Sequence, residues 1–248
     1  MNKKVLLIIA AGDSSRMGYL PKAISLINGK PNLLHTIENA YEFYDQIIIA
    51  SNHTNFDLYK EVIHNYIDLD DKIHLIPIKS GRGCGHAILE TLGFIDTNVY
   101  DNISICWGDT YFSNKELFEN ISNIKTTTSL TIPVIYEKNP YVWFKFSDNK
   151  AEQAMFSKRG DKISDGYHDQ SIFVINNNFY NHLLTAHNVL DKNGKYINKE
   201  LIFLDIVHYL WNINEPAHLL ILDDKFLTKS FNTESELNEI NNYFNNIK

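Results

Sequence analysis

The run Lys4-Val5-Leu6-Leu7-Ile8-Ile9-Ala10-Ala11-Gly12 sets the first constraint on the fold. From Val5 on, an apolar stretch with β-branched Val5, Ile8 and Ile9 and no polar residue on either alternating face reads as a buried strand. It stops at two alanines and a glycine, and the polar loop Asp13-Ser14-Ser15-Arg16-Met17-Gly18-Tyr19-Leu20-Pro21-Lys22 follows. Small residues at Ala10, Ala11 and Gly12 let a ligand approach the backbone, whose N–H groups can bind phosphate oxygens. With Asp13 and Ser14 they form a candidate nucleotide-binding loop, to which Arg16 and Lys22 add positive charge. The plainer alternative is a strand, a connecting loop and two solvated basic residues.

The remaining chain alternates short apolar runs with amphipathic ones. Ala23-Ile24-Ser25-Leu26 reads as a strand-like piece before the turn Asn28-Gly29-Lys30-Pro31, and Leu33 to Phe43 has helical spacing. Further strands are expected at Gln46 to Ala50, Ile73 to Ile76 and Ile103 to Trp107, with helices from Phe56 to Tyr66 and Gly85 to Phe94 between them. Such alternation implies an α/β fold with a mainly parallel sheet and helices on both faces. After residue 110 the pattern becomes β-rich, at Leu130 to Ile135, Val142 to Phe146 and Ser171 to Ile175, so antiparallel strands are expected there. Helical stretches from Phe179 to Leu190 and from Leu201 to Trp211, a strand at Leu219 to Leu222 and a closing helix from Glu234 to Phe244 complete the reading. The asparagine-rich tail Asn241 to Asn246 is expected to fray. No linker or repeat divides the 248 residues.

A net charge of -7 argues against a nucleic-acid binder of the basic-surface kind, although a local basic pocket is compatible with it. Two cysteines, Cys84 and Cys106, suggest neither a disulfide framework nor a thiolate zinc site, and fit a reducing, cytoplasmic setting. Lys3 and Lys4 before the apolar run imitate a secretory signal, but the run is at the short limit for one. No stretch is long enough to span a bilayer, so a soluble protein is expected. The ten histidines are scattered without metal-ligand spacing. Trp107, Trp143 and Trp211 fall within apolar runs and read as core.

Three other places carry candidate chemistry. Ser80-Gly81-Arg82-Gly83-Cys84-Gly85-His86-Ala87 sets glycines before a helix, which suits a nucleobase or phosphate, with Gly83 the candidate contact. Gly108-Asp109-Thr110 follows a buried strand, where ligands sit in an open α/β sheet. Asp109 is therefore either a turn or N-cap aspartate or a carboxylate for a hard divalent cation. Asp205 interrupts the apolar series Leu201 to Val207, and its carboxylate calls for a partner: a metal, a lysine or a helix N-terminus.

Together, Ala10-Ala11-Gly12-Asp13-Ser14-Ser15-Arg16-Met17, Pro21-Lys22 and Asn28-Gly29-Lys30-Pro31 resemble the signature of the NTP-transferase superfamily, which includes sugar-phosphate and phosphocholine-type nucleotidylyltransferases. Gly83-Cys84-Gly85-His86-Ala87 is similar to its base-binding loop, and Gly108-Asp109 to its metal-binding aspartate. Glu200 to Asp205 is similar to a later segment carrying a second metal aspartate, and Phe231-Asn232-Thr233-Glu234-Ser235-Glu236-Leu237 to its closing segment. The resemblance implies a Rossmann-like (GT-A/SpsA-like) mixed sheet. It also implies a single nucleotidyltransferase domain over 1–248, with a nucleotide-binding half at 1–110 and an acceptor-binding half at 111–248.

By the same resemblance, NMP passes from an NTP, a pyrimidine one (CTP or UTP), to a small phosphorylated acceptor with release of pyrophosphate. Arg16 would hold the β- and γ-phosphates and Lys22 the α-phosphate, while Mg²⁺ would sit on Asp109 and Asp205, with Asn232 as the alternative second ligand. Lys158 would grip the acceptor phosphate, and Asp169 would lie near the acceptor-recognition strand. Ser14 stands where many members have glycine. The glutamate that sugar-binding members carry beside the lysine is missing, and Pro140 to Asp148 looks more like phosphocholine-type enzymes, so the acceptor is a sugar phosphate or a phosphocholine-like compound. The expected partners are these two substrates, with no nucleic acid or membrane, and with a homodimer left open. The rival readings are a GT-A-type glycosyltransferase and a non-catalytic nucleotide-binding protein.

Overall fold

The computed structural model describes residues 3–14, 17–18, 20–66, 71–79, 83–192 and 200–245. The elements of the first half are β1 (Lys4–Ala10), β2 (Leu26–Ile27), β3 (Lys30–Pro31), α1 (Asn32–Ala40), β4 (Gln46–Asn52), α2 (Phe56–Tyr66), β5 (Ile73–Ile78), α3 (Cys84–Leu92) and β6 (Asn102–Trp107). Then come β7 (Thr110–Tyr111), α4 (Lys115–Ser122), β8 (Leu130–Lys138), β9 (Val142–Ser147), β10 (Lys150–Phe156), β11 (Asp165–Asp169), β12 (Ile172–Ile175) and α5 (Phe179–Lys192). The chain closes with α6 (Ile206–Asn212), β13 (Ala217–Ile221), β14 (Lys229–Ser230) and α7 (Glu234–Asn245).

One ten-stranded mixed sheet runs through both halves in the order β5-β4-β1-β6-β12-β8-β13-β10-β9, with β11 added on β8. β1 lies between β4 and β6, parallel to both. Its side chains alternate between two cores: Val5, Leu7 and Ile9 pack with residues of α3, α5 and α6, and Leu6, Ile8 and Ala10 with residues of α1, α2 and α4. Burial on both faces is why this strand has no polar position from Val5 to Ala10. The chain leaves β1 toward β4 and β5 and then returns to β6 on its other side. The carboxyl end of β1 is thus the switch point at which open α/β sheets bind ligands.

A small third core of Met17, Ile27, Phe231 and Ile240 joins the loop after β1 to the β2–β3 hairpin and α7. Asn28 and Gly29 turn that hairpin with φ of 51° and 77°, the left-handed pair of a tight two-residue turn. Asn241 ties it to α7, accepting from the Asn28 N–H at 2.9 Å and donating to the Leu26 carbonyl at 3.2 Å.

Three expectations are corrected. Ala23 to Leu26 is not one strand, because the 3₁₀ turn Lys22–Ile24 comes first. The helix expected from Leu201 starts at Ile206 after the 3₁₀ turn Phe203–Asp205, since the Leu201 carbonyl and the Phe203 N–H are bonded to Gly85 and Cys84. Strands β10 and β11 escaped the reading because their sequences, KAEQAMF and DGYHD, are too polar to mark a strand. The closing helix expected from Glu234 to Phe244 is found as α7, ending at Asn245, and Asn246 lies outside the described residues. Among the described residues, no helix is long and apolar enough to cross a membrane.

Candidate active site

Beyond β1 and β6 the structure opens into a cleft of about 730 Å³, whose wall includes Ala10, Ala11, Gly12, Asp13, Ser14 and Lys22. The Tyr59 hydroxyl donates to the Ala10 carbonyl at 3.0 Å and fixes the end of the strand. Burial, with the Asp109 charge adding to it, pushes that phenol well above its ordinary pKa and keeps it a donor. Gly12 has no packing reason to be glycine, since an added Cβ would meet nothing within 4 Å. What its missing side chain leaves clear is the cleft itself. Ser14 holds a left-handed φ of 50°, and its hydroxyl accepts from the Lys22 N–H at 3.1 Å, closing the loop. This conformation accounts for glycine at the same position of the signature. Arg16 lies outside the described residues.

The Lys22 ammonium is shared between the Asp109 carboxylate and the Asn232 carboxamide oxygen, the latter at 3.1 Å. Three local devices converge on this trio. Gly108 lets β6 approach β1, since a Cβ there would stand 2.8 Å from that of Ala10. The buried Asn32 side chain donates to the carbonyls of Gly108 and Thr110 at 2.9 and 3.0 Å, holding Asp109 between them. On the other side β14 pairs with β7, and the Phe231 N–H donates to the Asp109 carbonyl at 3.2 Å, which delivers Asn232. Thr233 and Glu236 form a reciprocal capping box at the start of α7, and the Glu236 carboxylate also accepts from the Asn232 N–H. Sequence reasoning missed Asn32, although a polar residue on the apolar face of a helix after Pro31 is a usable signal. It missed Glu236 too, whose Thr-x-x-Glu spacing was legible.

Gly83 has φ of 88°, and a Cβ on it would stand 2.7 Å from the Leu201 carbonyl oxygen. The glycine loop is therefore glycine partly because residues 200–203 lie against it: the Gly85 N–H donates to the Leu201 carbonyl at 2.8 Å, and the Phe203 N–H to Cys84 Sγ at 3.2 Å. Burial pushes the Cys84 thiol up to about 11, so it packs as a thiol and offers no thiolate. Gly83, Cys84 and Ala87 line the cleft, while residues 80–82 lie outside the described set.

The opposite wall carries Tyr141, Phe156, His168 and Asp169. Asp169 is 5% exposed and accepts from the Ser171 N–H at 3.0 Å. His168 Nδ1 meets the Glu137 carboxylate at 2.8 Å. Burial pulls this imidazole down, but the Glu137 bond and the Asp169 and Glu137 charges outweigh it and carry the pKa above 6.5. Lys158 is exposed in the 3₁₀ turn Ser157–Arg159 and is not part of the cleft wall.

Asp205, expected as the second metal carboxylate, makes no hydrogen bond or ion pair with Lys22, Asp109 or Asn232 among the described residues. It lies at the start of α6, away from the cleft wall, and both its oxygens accept from the Arg159 guanidinium, at 2.7 and 3.0 Å. Asn232 is the residue found beside Asp109. No group of three or more His, Cys, Asp or Glu among the described residues is arranged around a metal. A carboxylate and a carboxamide oxygen around one ammonium nevertheless make a hard-oxygen pair with a cation already between them. That suits Mg²⁺, which takes few protein ligands and completes its shell with water and phosphate.

Two curated relatives are bifunctional GlmU proteins. That of Francisella philomiragia is 29% identical over 119 residues, covering 47% of this chain and 24% of the relative. That of Symbiobacterium thermophilum is 27% identical over 123 residues, covering 49% of this chain and 25% of the relative. The matches thus span about a quarter of these relatives' length. Among solved structures, HddC from Yersinia pseudotuberculosis, in complex with GMP-PN, superposes with a TM-score of 0.70 at 15% identity, covering 97% of this chain and 99% of that one. The inositol-1-phosphate CTP transferase from T. maritima superposes with a TM-score of 0.71 at 11% identity, covering 97% of each chain. At these identities the likeness shows a shared fold, the Rossmann-like α/β fold of the superfamily. Residues 6–161 match the MobA-like NTP transferase domain, and the chain belongs to that family.

Proposed function

We propose that the chain is a nucleotidyltransferase that moves NMP from a pyrimidine NTP, CTP or UTP, to a small phosphorylated acceptor and releases pyrophosphate. One domain does this, with residues 1–110 binding nucleotide and 111–248 binding the acceptor. The observation that carries the reading is the Lys22 ammonium held beside Asp109 and Asn232 at the mouth of the Gly12 loop. An acceptor phosphate oxygen attacks the α-phosphorus, a new P–O bond forms, and the bond to the α,β-bridging oxygen breaks with its electron pair leaving on pyrophosphate. Two anions must meet in line, so catalysis here is mainly positioning and charge neutralisation. The N–H groups of residues 11–14 receive the phosphates, the Lys22 ammonium turns to the α-phosphate, and Arg16 takes the leaving pyrophosphate. Mg²⁺ on Asp109 and Asn232 would supply the remaining positive charge to the phosphate oxygens. No general base is needed, because the acceptor phosphate is itself the nucleophile.

On the acceptor side the reading draws on Asp169 and Lys158, and a sugar phosphate or a phosphocholine-like compound is the acceptor. The experiment is pyrophosphate release across ATP, GTP, CTP and UTP with glucose 1-phosphate, inositol 1-phosphate and phosphocholine. Release with CTP or UTP and one of these acceptors is expected. Cleavage of a finished nucleotide-sugar, without pyrophosphate from any NTP, would establish the glycosyltransferase alternative instead.

A further inference from the structure

Residues 200–205 run between the two walls of the cleft. At one end they are bonded to the first turn of α3, directly after Gly83, through Gly85 and Cys84 at 2.8 and 3.2 Å, and this Gly83–Gly85 stretch is the nucleotide loop meant below. At the other, Asp205 grips Arg159 with both carboxylate oxygens, at 2.7 and 3.0 Å. The Arg159 guanidinium in turn lies 4.2 Å from the centre of the Phe156 ring, and Phe156 is part of the acceptor wall. Between these anchor points Ile202, Phe203 and Leu204 themselves line the cleft. The pair is partly shielded, its side chains 28% and 31% exposed, and a two-pronged Arg–carboxylate bond fixes orientation in a way a single contact does not.

We infer that Asp205 is a positioning residue for the acceptor: through Arg159 it holds Phe156 and the following turn, which carries Lys158, in register with the nucleotide loop. Residues 200–205 thus form a strap by which an occupied nucleotide loop favours the acceptor wall that binds. This rests on the nucleotidyl-transfer reading above. No hydrogen bond or ion pair joins residues 200–205 to Lys22 or Asp109 among the described residues, so loss of the strap is expected to act on acceptor binding more than on the reacting phosphates.

The test uses the acceptor, of glucose 1-phosphate, inositol 1-phosphate and phosphocholine, that supports pyrophosphate release by the wild-type chain. Asp205→Asn should raise the KM for that acceptor about 10-fold while leaving the NTP KM and the half-saturating Mg²⁺ concentration within about twofold. Asp205→Glu should restore most of the loss, and Asp205→Asn combined with Arg159→Gln should be no worse than either alone. Acceptor binding measured calorimetrically with and without a non-hydrolysable NTP should differ in the wild type, and the ratio should fall toward 1 in Asp205→Asn. If Asp205→Asn proves unfolded, Arg159→Lys, which keeps the charge and loses the two-pronged bond, replaces it. A raised Mg²⁺ requirement with unchanged acceptor KM would overturn the inference, and so would a uniform fall in kcat with unchanged coupling. No pyrophosphate from the wild type with any acceptor would instead overturn the proposed reaction, and this inference with it.

Discussion

Lys22 and Asn232 stand 210 positions apart in sequence and 3.1 Å apart across the cleft floor. The first is delivered by the loop after β1 and the second by the strand pair β7–β14, so the centre is made by convergence of distant segments. Lys22→Met removes the ammonium while keeping much of the side-chain volume. Pyrophosphate release should fall roughly 10²–10³-fold, as on losing a charge aimed at a transition state, with a smaller change in NTP KM. Steady-state kinetics with both substrates varied separates the two effects.

Asp109 and Asn232 are expected to share the cation. Asn232→Ala should raise the Mg²⁺ concentration for half-maximal rate about 10-fold, and Asp109→Asn by more, because it removes the only charged ligand of the pair. A Mg²⁺ titration of the rate at saturating substrates reads this directly.

Glu236 caps α7 and holds the Asn232 backbone. Glu236→Ala should cost about 1 kcal/mol in urea unfolding, the usual value of a lost cap, and should also lower the rate. Glu236→Gln keeps an acceptor for the same N–H groups, so it should retain most of both.

The two loops predict opposite outcomes for the same change. Gly83→Ala meets the Leu201 backbone in a left-handed conformation and should destabilise by about 1–3 kcal/mol. Gly12→Ala enters open space, so its stability should stay within about 0.5 kcal/mol, whereas its NTP KM rises. Thermal melts beside NTP titrations of the two variants distinguish a packing glycine from a ligand-facing one.

His168 gives a pH signature. Its folded pKa lies above 6.5, so the stability from its pairing with Glu137 is fully present below the unfolded value and is lost as pH rises through the folded one. The difference in Tm between the wild type and Glu137→Gln should therefore be widest near about pH 6 and small near about pH 8.

The first half of the chain was legible because its signals are local. β1 advertises burial on both faces, Gly12 and Asp109 follow strand ends, and each helix has its 3.6-residue stripe. The second half was less so. β10 and β11 are antiparallel strands with polar sequences, defined by their partners β9, β13 and β8 more than by their own composition. Asp205 shows the same limit. An acid within an apolar run announces that it has a partner, and only the fold reveals that the partner is Arg159. Gly83 was marked for a ligand, yet Leu201, more than a hundred positions later, also requires it to be glycine.

The small core of Met17, Ile27, Phe231 and Ile240 binds the first loop to the final helix. During synthesis, β1 and its loop leave the ribosome long before Asn232 exists, so a nascent chain carries the Gly12 loop and Lys22 without the carboxamide that shares the Lys22 ammonium and without the apolar cluster that packs against Met17. Competence for the reaction therefore arrives late and all at once, and any nonsense or frameshift lesion upstream of Phe231 yields a product that lacks the finished centre.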